Sequence, residues 1–101
     1  MMDSRLQHGM DRLRLGQSKL SRHAGHRSQQ RAIPHFVIDA LHDFGDSKMV
    51  GKGDESFFFG KRAWKRFEAY MGCAAQGMEK YRNVYIIVAD DGTVITAAWR
   101  H

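Results

Sequence analysis

A single cysteine, Cys73, means that no internal disulfide can staple this chain, and such cysteine usage suits a reducing compartment. No apolar run approaches the roughly eighteen residues that a membrane-spanning helix needs. The polar start of the chain lacks the apolar core of a signal peptide. These absences set the expectation of a cytoplasmic protein with no membrane partner. No internal repeat, low-complexity tract or second domain is visible. The chain also lacks a phosphate-cradling glycine loop, a His-Glu-x-x-His pair and a nucleophile elbow, so it carries none of the commonest hydrolase signatures.

What is present fits one domain with a modest core: 101 residues, 43% of them hydrophobic. The net charge of +5 is placed unevenly. Residues 1–35 hold seven Lys and Arg against Asp3 and Asp11, together with four of the six histidines, whereas residues 36–101 hold nine of each sign. The whole excess therefore lies in the first third of the chain. Such asymmetry points to a polyanionic partner, nucleic acid first and an acidic protein second.

Residues 1–17 have apolar residues too sparse for a helix and read as a flexible basic arm; residues 18–101 read as a single α+β domain. Ser18 or Ser21 can cap a first helix running to about Ala32. On its wheel Leu20, Ala24, Arg27 and Arg31 share one arc, with His23 at the edge. Arginines fully buried without partners would cost several kcal/mol each, so these either enter a cleft or answer buried carboxylates. Ile33 precedes proline, where helical geometry is disfavoured. Pro34 then opens a second helix with the stripe Val37, Ala40, Leu41 and Phe44, stopped by Gly45.

Residues 46–60 read as a hairpin, Lys48 to Val50 and Glu55 to Phe59 flanking Gly51 to Asp54, with the three phenylalanines of the second strand covered on both faces. From Lys61 a helix returns, its stripe Ala63, Trp64, Phe67, Tyr70 and Met71 opposite a basic face. Residues 73–82 read as a loop. Val84 to Ala89 and Thr93 to Trp99 then form a hairpin about a two-residue Asp91-Gly92 turn. That turn pairs Val88 with Ile95, Ile86 with Ala97 and Val84 with Trp99 on an apolar face. The other face carries Tyr85, Thr96 and Arg100, the expected floor of a site.

Three segments together resemble a known family: Ser21-x-His23-Ala24-x-x-Arg27-x-x-x-Arg31-x-Ile33, the helix end Ala40-Leu41-x-x-Phe44-Gly45, and the closing hairpin Val84 to Thr96. They are similar to small bacterial proteins of an uncharacterised-function family whose hallmark is His-Ala-x-x-Arg-x-x-x-Arg. That family is distantly similar to the superfold shared by barnase, EndoU, the ribonuclease colicins and RelE-type toxins. The likeness implies two helices, then a curved antiparallel sheet of about four strands with a third helix inserted. It also implies a metal-independent, toxin-like endoribonuclease with RNA as partner and an acidic antitoxin or immunity protein as its counterpart.

Metal-independent RNA cleavage needs a base for the 2′-hydroxyl, an acid for the leaving oxygen and fixed positive charge at the phosphorus. A histidine titrates at about 6.5 and can serve as either proton carrier, which nominates His23. Arg27 and Arg31 offer forked donors for phosphate. Thr96 and Arg100 complete the expected catalytic set from the sheet, and Arg22, Tyr85 and His101 are expected to contact substrate. The competing reading is an interaction module, in which Arg27 and Arg31 are held by Asp39, Asp43 or Glu79 and the basic region binds nucleic acid or an acidic protein. His23 and His26 have ligand-like spacing, but a closed zinc site would need Cys73 and His35 as well, a forced set, so no metal or other cofactor is expected.

Overall fold

The computed structural model describes residues 18–100. They form an α+β domain of three helices and one four-stranded antiparallel sheet in the order β1-β2-β3-β4. The expected basic arm at residues 1–17 lies outside the described residues, as does His101.

Helix α1 (Arg22–Gln30) begins where the extended Ser21 accepts the Ala24 amide on its hydroxyl at 3.0 Å, satisfying one of the orphan donors of the first turn. The helix ends earlier than expected, and not because of Pro34. Ala32 turns to a left-handed φ of 55°. Its amide returns to the Gln29 carbonyl at 3.2 Å, and that of Ile33 to the Ser28 carbonyl at 2.9 Å. This is the paired closure that usually recruits glycine. Its buried stripe is Ala24 and Ser28. The wheel is thus rotated from the expected arc: the Ser28 hydroxyl satisfies itself on the Gly25 carbonyl at 3.0 Å and can enter the core, leaving Arg31 half-buried at the flank and Arg27 exposed.

Pro34 caps α2 (His35–Phe44) from outside it, with an extended ψ of 148°. Five consecutive residues of this helix, Val37 to Leu41, are buried, so it is enclosed on nearly every side rather than along one stripe. Gly45 ends it by proximity: a Cβ there would lie 2.5 Å from the Leu41 carbonyl oxygen.

Strands β1 (Asp46–Gly51) and β2 (Asp54–Phe58) join through Lys52 and Gly53, both at positive φ, the conformation a tight two-residue hairpin demands. Phe59 lies beyond the strand and is buried. Its ring meets Trp64 at 5.1 Å and Phe67 at 5.2 Å, which anchors helix α3 (Lys61–Met71), inserted between β2 and β3. Phe57 and Phe58 are each half-buried on opposite faces, not covered on both sides. Tyr70 is also more exposed than its place in the α3 stripe suggested. Two 3-10 turns, Gly72–Ala75 and Glu79–Asn83, occupy the stretch expected to be a loop.

Strands β3 (Val84–Val88) and β4 (Val94–Trp99) close the sheet. Val84 to Ile87 pair with Trp99 to Thr96 in the expected register, but Val88 opposes Val94 instead of Ile95. The cause is a loop one residue longer, Asp90-Asp91-Gly92: the Gly92 amide returns to Ala89 at 2.9 Å, and Gly92 is left-handed. The irregularity at Ile95 restores the alternation, so from Thr96 onward the faces are as predicted, while at the turn end Val94 takes the core position expected of Ile95, which is half-buried. Val84, Ile86, Val88, Val94 and Ala97 meet the helices in one core with Ala24, Val37, Ile38, Leu41 and Phe67.

Candidate nucleic-acid interface

Beyond its end-to-end pairing with β3, β4 is tied to the segment that launches α1. The Val94 amide donates to the Lys19 carbonyl at 2.7 Å, and the Ser21 amide donates to the Val94 carbonyl at 2.9 Å. Helix α1 is thereby held along the free edge of β4. At its far end Arg31 is fixed twice. Its Nη1 donates to the Ala97 carbonyl at 2.9 Å, and its own carbonyl accepts Trp99 Nε1 at 2.8 Å. Trp99 in turn stacks on Tyr81 with ring centroids 6.0 Å apart.

Because side chains alternate along a strand, the residues facing away from the core align in rows. Phe58, Tyr85 and Ala98 form one row, and Lys48, Ser56, Ile87 and Thr96 form the next. Where these rows meet α1, a groove of about 530 Å³ is lined by His23, Arg27, Arg31, Tyr85, Thr96, Ala98 and Trp99. His23 and Arg27 reach it from the exposed side of the helix, and Arg31 from its half-buried flank.

Among the described residues no carboxylate lines this groove. Asp39, one of the expected anchors for the arginines, is fully buried in α2, where it accepts the Ser18 amide at 3.2 Å and faces His35 Nε2 at 3.7 Å. Arg31 is anchored by a backbone carbonyl instead. A guanidinium satisfied that way keeps its full charge uncompensated by a neighbouring anion, whereas a buried ion pair would cancel it.

Five of the expected residues, His23, Arg27, Arg31, Tyr85 and Thr96, are thus brought together. Arg100 is not among them: its guanidinium crosses toward β2 and lies 5.6 Å from the Phe58 ring centroid. There it lines a separate groove with Lys48, Ser56, Phe58 and Tyr85. Arg22 is exposed and stays outside the groove, lining an adjoining concavity of α1 with His23, His26, Arg27 and Gln30. Ala98 and Trp99 were missing from the sequence reading of the site, although the pairing of Tyr85 with Ala98 already placed Ala98 on its floor.

Among the described residues, no three His, Cys, Asp or Glu side chains gather as a metal site, and no helix is long and apolar enough to cross a membrane. Comparison with family models, with curated proteins and with solved structures gives no match for this chain.

Proposed function

We propose that the groove between α1 and the outer sheet face binds RNA and cleaves it without a metal, in the manner of the toxin-like ribonucleases that the His-Ala-x-x-Arg-x-x-x-Arg segment resembles. The observation that carries this reading is the meeting of His23, Arg27 and Arg31 with Tyr85 and Thr96 in one groove whose lining, among the described residues, holds no carboxylate. In this reading neutral His23 takes the proton from a 2′-hydroxyl, whose oxygen then attacks the adjacent phosphorus. The bond to the 5′-oxygen breaks, leaving a 2′,3′-cyclic phosphate, and the departing oxygen takes a proton from the Tyr85 hydroxyl or from water. Arg27 and Arg31 offset the charge that builds on the phosphoryl oxygens, and Thr96 offers a further hydroxyl donor. The requirement for the 2′-hydroxyl restricts the chemistry to RNA.

The test is incubation of purified protein with end-labelled RNA at neutral pH in a chelator. Cyclic-phosphate ends are expected, with His23→Ala slowing their formation by about 10²–10⁴-fold, as for loss of a positioned proton carrier. Salt-sensitive RNA binding without cleavage would move the groove to the class of non-catalytic interaction modules. RNA binding unaffected by Arg27→Ala would overturn the reading altogether.

A further inference from the structure

On the far side of Tyr85 the sheet carries a second groove of about 320 Å³, lined by Lys48, Ser56, Phe58, Tyr85 and Arg100. It has two cations far apart in the sequence, a hydroxyl and two aromatic rings, and again no carboxylate in its lining among the described residues. Asp46 shares the row of Phe58 and Tyr85. Its carboxylate is turned onto the Gly60 backbone, so close that no Cβ fits there. Arg100 is held at the groove by lying over the Phe58 ring, which leaves its guanidinium plane and the Tyr85 ring as the two flat surfaces on offer.

We propose that this groove is a second nucleotide subsite, so that one single strand of RNA crosses the sheet from α1 toward β1 with Tyr85 common to both subsites; this rests on the reading of the first groove as an RNA site. Two geometric facts support it. Lys48 and Thr96 stand in one row across four strands, three strand spacings or about 14 Å apart. That separation is several times the ~3.4 Å rise per nucleotide of a helical strand, so one phosphate cannot serve both ends. Ser56 and Ile87 lie between them, and the adjoining row sets the Phe58 and Tyr85 rings side by side, which suits unpaired bases stacked on Tyr or Arg planes and not a duplex whose base faces are hidden. An acidic peptide would use the cations but has no need of the rings.

The experiment is a fluorescence titration with 2′-O-methyl uridine oligomers of graded length, which lack the nucleophilic hydroxyl and so survive the measurement. Affinity should rise by about tenfold or more from the mononucleotide to the tetranucleotide, since each added base gains a stacking surface. Lys48→Glu and Arg100→Ala should each cut that tetramer-to-monomer ratio about fivefold. Lys48→Ala should lower the slope of log affinity against log salt by about 0.7, the share of one single-strand phosphate. Lys48 and Arg100 are exposed, so the melting curves of these variants serve as the check on folding. A ratio unchanged in both charge variants while Arg27→Ala weakens monomer and tetramer alike would sink the second subsite and leave the first standing. No binding of any oligomer would sink both. Full displacement of the tetramer by polyglutamate at equal charge concentration would assign the groove to an acidic peptide and overturn the proposal.

Discussion

Arg27, in the last turn of α1, and Arg31, the residue that caps its C-terminus, line the same groove, yet their truncation should have unequal consequences for stability. Arg31 is half-buried, and its Nη1 donates to the Ala97 carbonyl 2.9 Å away. A hydrogen bond from a charged donor contributes about 1.5–3 kcal/mol, so Arg31→Ala should destabilise the domain by about 2 kcal/mol. For a domain of this size each kcal/mol corresponds to about 4–8 °C, and Tm should fall by roughly 8–16 °C. Arg27 is exposed, and removal of such a side chain changes stability by no more than about 0.5 kcal/mol. Thermal melts and urea midpoints of the two variants, with RNA affinity measured well below either Tm, separate the scaffold role from the ligand role. Both variants should bind RNA more weakly, but Arg31→Ala alone should melt early. Equal losses of stability would refute the assignment of Arg31 as the clamp between α1 and β4.

Two further expectations follow from the backbone. Ala32→Gly should stabilise the domain, by up to about 1 kcal/mol, because a left-handed residue with a Cβ carries about 1–2 kcal/mol of strain that glycine removes at some cost in unfolded-state entropy; a urea midpoint at or below that of the parent protein would contradict the strain at φ 55°. The Asp91 carboxyl is held below the usual carboxylate range, first by the Thr93 amide that donates to it at 2.9 Å and then by the Thr93 hydroxyl. A depressed native value gives stability that is present above the ordinary carboxylate value of about 3.9 and is lost as pH falls through the lower native one. Urea midpoints of the parent protein and Asp91→Ala should therefore differ at pH 6 and converge in strong acid. A gap that widens on acidification would reverse the sign of the argument.

How much of this was legible in the sequence depends on whether the signal was local. The Asp-Gly turn and the alternation of Val84 to Val88 fixed which face carries Tyr85 and Thr96, and a one-residue error in loop length was absorbed at Ile95. The rotation of α1 was not legible. It depends on Ser28, a polar residue that enters the core by bonding its own helix, which an apolar-stripe criterion passes over. Nor was the end of α1, where alanine occupies the site that glycine normally marks. The burial of Asp39 is a long-range fact: its partner amide belongs to Ser18, far away in the chain. Arg100 was placed on the correct face but beside the wrong neighbours, since alternation sets the side of the sheet and says nothing of which direction a long side chain takes across it.

The rotation of α1 also decides the chemistry of the site. Had the expected arc faced the core, both arginines would have needed buried carboxylates, and their charge would have been spent within the fold. With Ala24 and Ser28 in that position, the helix lies close on β4 through small side chains. The cationic flank then faces the outer rows of the sheet instead of its interior. The link between Trp99 Nε1 and the Arg31 carbonyl holds that orientation at the end of the helix where the left-handed Ala32 would otherwise let it twist. An exposed His23 and Arg27 at the rim and a clamped Arg31 below them are therefore consequences of one packing choice, and that choice directs both guanidinium groups into the groove.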